Sequence, residues 1–185
     1  MTLLIAGLIL FVALHMIPSV PPLRTELVAN LGEKKYRAIF SALAFVSLAL
    51  IIWGFSKADF QPVYQPVTWG RSMAFGLVPI AVILFAAANM PTHIRAFFRH
   101  PMLIGLFLWA LAHLAANGDM KSILLFGTLG AFSVVAIVSS SIRGSQSSHD
   151  KPPRWKMDGV AIVSGTIVAG LFAKFHGTLF GMPLM

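Results

Sequence analysis

The sequence predicts an all-α, polytopic membrane protein: one bundle of about six transmembrane helices in a single domain spanning residues 1–185. Three observations carry this. The chain is 57% hydrophobic and only 11% charged, against about 25% charged in ordinary soluble domains. Apolar runs of roughly 15 to 21 residues recur along its whole length. Every Lys, Arg, Asp and Glu lies between or beyond those runs, the segregation that a hydrocarbon solvent imposes on charge.

The runs place the predicted helices at Leu3 to Ile17, Ala38 to Ser56, Ser72 to Asn89, Met102 to Asn117, Ser122 to Ile142 and Gly159 to Ala173. The first, fourth and sixth fall short of the ~20 residues of a typical span, so they are expected to extend into flanking residues or to sit in thinned bilayer. Nothing basic precedes Leu3, so the first run reads as a retained helix and not as a secretory signal. Pro18, Pro21 and Pro22 close the first helix, Pro62 and Pro66 lie in the second connector, and Pro101 opens the fourth helix at its first turn. In Asn117-Gly118-Asp119 the glycine is expected to terminate the fourth helix and Asp119 to cap the fifth. No internal repeat is visible, which argues against a transporter built from duplicated halves.

Ten of the 14 Lys and Arg residues fall in the connectors 18–37, 90–101 and 143–158. By the positive-inside bias these face the cytoplasm and both termini face outward, as in a bacterial inner membrane protein. A net charge of +8 would suggest nucleic acid in a soluble chain, but topology and anionic lipid account for it here. Membrane lipid is therefore the expected partner, and nucleic acid is not. There is no cysteine, so disulfides and thiolate metal sites are excluded.

Six histidines stand out in so apolar a chain. His15 and His113 lie inside predicted helices, where an unpaired imidazole is costly. Counted from the helix ends, His15 lies about 18 Å from the outer side and His113 about 16 Å from the cytoplasmic side, so the two are expected to be nearly level. Each ends a helical stripe of a small residue and an aromatic: Gly7, Phe11 and His15; Gly105, Trp109 and His113. Such faces suit a flat macrocycle between two helices and equally suit an ordinary helix interface with a hydrogen-bonded histidine, and spacing leaves both open. Zinc would want three or four close ligands, and no intramembrane acid accompanies the histidines. Two opposed imidazoles suit haem iron, and with no Cys-x-x-Cys-His the haem would be the non-covalent b type. Arg24, Arg37, Arg95 and Arg99 lie in the basic connectors, where a guanidinium can hold a propionate or serve as a topological anchor.

His15, Ser19, Arg24, Leu31-Gly32, Tyr36-Arg37, Arg99-His100-Pro101 and the run from Ala112 to Asp119 resemble the NnrU family of bacterial membrane proteins, as do His176, Phe180-Gly181 and Pro183. The resemblance spans essentially the whole chain. The family takes its name from a requirement in nitrite and nitric oxide metabolism. It is similar to zeta-carotene isomerase, a membrane enzyme that uses haem b to turn a polyene double bond, with axial ligands at the histidines matching His15 and His113. This chain lacks that enzyme's long N-terminal extension, and its segment from Arg143 to Asp158 is NnrU-like, so the resemblance implies haem ligation more than isomerase activity. The implied cofactor set is His15 and His113 on iron, with Arg24, Arg37, Arg95, Arg99, His100, Trp109 and Asn117 around them. The implied work is redox or isomerisation of a hydrophobic small molecule, or chemistry linked to nitric oxide. Arg99-His100-Pro101 followed by Gly105 is also similar to the cofactor segment of isoprenylcysteine-type membrane methyltransferases, so S-adenosylmethionine binding is the alternative, and a non-catalytic scaffold the third. Of the other histidines, His93 and His100 flank the entrance to the fourth helix, His176 is expected at the membrane interface beyond the sixth, and His149 in the polar connector.

Overall fold

A computed structural model describes residues 1–144 and 151–181, and every regular element among them is helical. Six long helices match the predicted spans: α1 (Thr2–Met16), α3 (Glu33–Lys57), α4 (Gly70–Ala88), α6 (Pro101–Ala116), α7 (Met120–Ile142) and α8 (Trp155–Phe180). Two short helices, α2 (Pro21–Leu31) and α5 (His93–Phe98), occupy connectors in which no helix was predicted. Pro21 and Pro22, read above as stops for the first helix, instead open α2, where proline's fixed φ suits a first turn and its missing N–H costs nothing. The first helix gains a 3₁₀ turn over Ile17–Ser19, and the sixth begins earlier and ends later than its apolar run, so His176 lies within α8 and not beyond it.

Among the described residues, five helices are long and apolar enough to cross a bilayer, and α6 is a shorter apolar one. At 1.5 Å per residue α6 is about 24 Å long. Packing runs in the order α3, α1, α7, α6, α4, α8, each helix against the next, with α1 and α7 forming the narrow seam between two halves. The connectors 17–32 and 89–100, with residues 143–144 and 151–154, gather at one end, called here the basic face, and the connector 58–69 with Asn117–Asp119 at the other.

Close approach replaces hydrophobic drive where the surrounding solvent is itself apolar. A Cβ on Gly54 of α3 would strike the backbone of Leu4. Leu4 and Leu8 of α1, Ile51 of α3, Ala110 of α6 and Leu125, Phe126 and Leu129 of α7 form the buried core across the seam. Two buried hydroxyls are bonded inside their own helices, Ser47 to Ala44 O (2.7 Å) and Ser133 to Gly130 O (2.6 Å), which removes the cost of polar atoms in an apolar interior.

Candidate functional site

The two histidines share one local geometry. His15 Nδ1 donates to Phe11 O at 2.8 Å, and His113 Nδ1 donates to Trp109 O at 2.8 Å. A carbonyl can only accept, so the proton sits on Nδ1 and the neutral ring offers its lone pair at Nε2. An i−4 carbonyl bond that fixes the tautomer and orients the ring is the arrangement found behind metal-ligating histidines.

Both helices rest on α7, which supplies an aromatic to each ring. His15 stacks on Phe11 (4.0 Å between centroids), with Phe40 and Phe132 edge-on. His113 stacks on Phe126 at 4.4 Å beside Trp109. Phe126 and Phe132, the α7 rings that meet His113 and His15, are six residues apart, about 9 Å of rise along α7. No hydrogen bond or ring contact joins His15 to His113. The glycines of the two stripes serve other neighbours: a Cβ on Gly7 would sit 2.8 Å from Ile51 N of α3, and one on Gly105 2.9 Å from Ala81 O of α4. They make room for helices, not for a macrocycle.

Trp109, His113 and Asn117 form a ladder on α6, with Asn117 Nδ2 donating to His113 O at 2.9 Å. A strap of residues 58–69 closes over this end. Val63 and Tyr64 N–H donate to Gly118 O (2.8 and 3.1 Å), Met120 N–H to Gln61 O (2.9 Å), and the Tyr64 hydroxyl reaches both Leu114 O and Asn117 O. A Cβ on Gly118 would run into Tyr64 O. Gly118 was expected to terminate the fourth helix, and α6 does end just before it, at Ala116; it has no positive φ, and what demands glycine is this strap. Asp119 caps α7 as expected, accepting from Ser122 N at 3.1 Å and Ser122 Oγ at 2.7 Å. Burial, and then the Asp119 charge, push the Tyr64 phenol above its usual range, so it stays a donor.

The arginines separate into two groups on the basic face. Arg24 (3.8 Å) and Arg37 (2.8 Å) both pair with Glu33 at the corner of α2 and α3, and Arg37 lies inside α3 and not in a loop. Arg95, Arg99 and His100 lie at the α5–α6 corner, where the Thr92 side chain caps α5, Arg99 takes a positive φ of 54° and His100 stands at the first position before α6 without a side-chain capping bond. His100 is 13 residues before His113, about 20 Å along α6. That corner is clasped to α8 by His93 Nδ1 and Asp158 Oδ2 at 2.7 Å, with Trp155 stacked on His93. Sequence reasoning missed Arg143, whose guanidinium donates to Ser19 O at 3.1 Å and to Ser139 and Ser140, beside the α1 end that carries His15. The run Ser139-Ser140-Ser141 before it was the available signal. His176 lies on α8 with its ring tilted against Phe180 at 5.0 Å. His149 and Pro183 lie outside the described residues.

A recess of about 420 Å³ opens between α1 and α3, lined by Phe11 and His15 on one side and Phe40, Ser41, Ala44 and Phe45 on the other. A second, wholly apolar hollow of about 200 Å³ lies between α6 and α7 and does not include His113.

Among the described residues, no group of three or more His, Asp or Glu side chains gathers as a bare-metal site. What the site offers is two oriented imidazoles in aromatic surroundings. No curated protein and no solved structure matches the chain. A family model described as NnrU protein matches residues 3–184, nearly its whole length, and the chain belongs to the NnrU family.

Proposed function

We propose that the protein holds one haem b against α7, with His15 on α1 and His113 on α6 as its axial ligands. The observation that carries this is the twin bond from each Nδ1 to the carbonyl four residues back, which leaves two preset Nε2 atoms in apolar walls. Two nitrogen donors without a third fit a porphyrin-bound iron, whose equatorial positions the macrocycle already fills. When bound, haem would supply one-electron chemistry and a place for a small ligand such as nitric oxide. The chain's own part is to orient the rings, exclude water and anchor the propionates, for which Arg143, Arg24 and Arg37 stand at the end nearest His15 and Arg95 and Arg99 at the neighbouring corner. The activity so supported is redox or isomerisation of a membrane-dissolved small molecule, or nitrogen-oxide chemistry. The basic face is assigned to the cytoplasm of a bacterial inner membrane by its cations.

The ultraviolet-visible spectrum of detergent-purified protein, expressed with ample haem, tests the reading. The expected result is a Soret band with the sharp reduced bands of a low-spin six-coordinate iron. Folded protein without Soret absorbance, or an unchanged spectrum in His15→Ala with His113→Ala, rejects it.

A further inference from the structure

The recess between α1 and α3 lies at the edge of the row of helices, since α3 packs on α1 and α2 alone among the elements with extensive contacts. Phe45 on its wall is 73% exposed and Leu48 at its far end 49% exposed, so it opens sideways, into the hydrocarbon in a membrane. An occupant must therefore arrive from the lipid phase. At about 420 Å³ the recess falls within the roughly 300–1,000 Å³ of small-molecule pockets.

Its chemistry narrows the occupant. No Lys, Arg, Asp or Glu lines it, so neither a carboxylate or phosphate head nor an amine finds a counter-charge, and burying one would be costly. The hydrogen-bonding groups are the Ser41 hydroxyl and His15, with Ser41 eight residues from the basic end of α3, about 12 Å by rise. Phe11, Phe40 and Phe45 surround that polar end with faces and edges suited to a flat ring. From Ser41 to Leu48 the wall then runs apolar for about 10 Å toward the bilayer centre.

We propose that this recess is a lateral binding site for a neutral, ring-headed isoprenoid of the quinone and quinol class, its oxygen on the Ser41 hydroxyl and its tail toward the bilayer centre. A hydroxyl both donates and accepts, so Ser41 serves the carbonyl of one form and the hydroxyl of the other. The closeness of the ring to a haem ligand rests on the cofactor reading above; the recess and its neutral chemistry do not.

The test is photolabelling of the full-length purified protein with an azido-benzoquinone bearing a short alkyl tail, mapped by peptide mass spectrometry. The label is expected to saturate within residues 11–15 and 40–48. Ala44→Phe, which fills the recess, is expected to cut it at least tenfold, and Ser41→Ala about fivefold, the loss of one hydrogen bond. Ala44→Leu is the milder filling variant should Ala44→Phe lower the thermal midpoint. Label spread evenly over lipid-facing helices, label untouched by both filling variants, or displacement by oleate as readily as by unlabelled quinone would overturn the proposal. Saturable, blockable label on a protein without Soret absorbance removes the cofactor reading and keeps the recess; Soret absorbance with an unlabelled recess does the reverse.

Discussion

His15 and His113 are two copies of one local device in unlike surroundings. Both rings hang from an aromatic residue one turn back and donate Nδ1 to its carbonyl. Around His113 the space is filled, by Phe126 face-on, by Trp109, and by a strap that bonds the last turn of α6 from above. Around His15 one side is open to the recess, whose other polar group is the Ser41 hydroxyl, and Arg143 reaches across the seam to Ser19 O, four residues further on. The same helical spacing thus produces a fixed position and an accessible one, and the difference comes from helices far away in sequence.

Removal of each ring is the strongest way to break that contrast. His113→Ala is expected to lose at least nine-tenths of the bound haem, whereas His15→Ala is expected to keep a five-coordinate pigment that free imidazole restores through the recess. Absorbance titration with imidazole reads the difference, and equal rescue at both positions would erase the distinction between open and closed sides.

Next in size is the strap. Gly118→Ala forces a methyl into Tyr64 O, and because backbone meets backbone the loss is expected near the top of the overpacking range, about 3 kcal/mol. Gly127→Ala in the middle of α7 meets nothing within 4 Å and is expected to be neutral or to gain up to about 1 kcal/mol through helix propensity. Thermal melts in one detergent compare the pair, and a similar midpoint for both would show that the strap does not hold this end.

Arg143→Ala tests whether the open side is tied at its base. It removes the bond to Ser19 O and is expected to cost about 1–2 kcal/mol, as for a hydrogen bond from a charged group. Haem retention should fall with it if the guanidinium also anchors a propionate.

Tyr64→Phe gives the smallest effect, about 1 kcal/mol at neutral pH. Its pH dependence carries a definite sign. The phenol's folded pKa is raised, by burial first and by Asp119 second, so its contribution is complete below the unfolded value of about 10 and is lost as pH rises through the folded value. Wild type should show an alkaline fall in stability that Tyr64→Phe lacks; parallel profiles would remove Tyr64 as the group responsible.

The six spans were legible because each is a run of apolar residues facing lipid, and composition alone reports that. α2 was not: its helix carries Arg24, Thr25, Glu26 and Asn30 and buries no residue, so no apolar stripe marks it. α5, with six residues, is shorter than any window in which periodicity can be seen. The histidines and their aromatic partners one turn back could be read from i and i+4 spacing, but the Phe132 and Phe126 contacts could not, since they depend on how α1 and α6 settle on α7. Gly7 and Gly105 seemed to belong to the histidine faces because a helix repeats; only the neighbours show that they belong to α3 and α4. The Tyr64 strap joins residues 50 and 53 positions apart, a separation at which local sequence carries no signal.

The short α6 has a consequence for the surrounding lipid. Its length of about 24 Å is roughly 6 Å less than a typical hydrocarbon core, and its far end is finished by irregular backbone, Pro62 bridged to Asp119, whose polar groups satisfy one another. Acyl chains beside α6 must compress or the helix ends must sink, at a cost of a fraction of a kcal/mol for each ångström of mismatch. The molecule should therefore gather short-chain or unsaturated lipids along that flank, and its thermal midpoint should drop in bilayers of increasing chain length, making membrane thickness a physical variable that acts on the helix carrying His113.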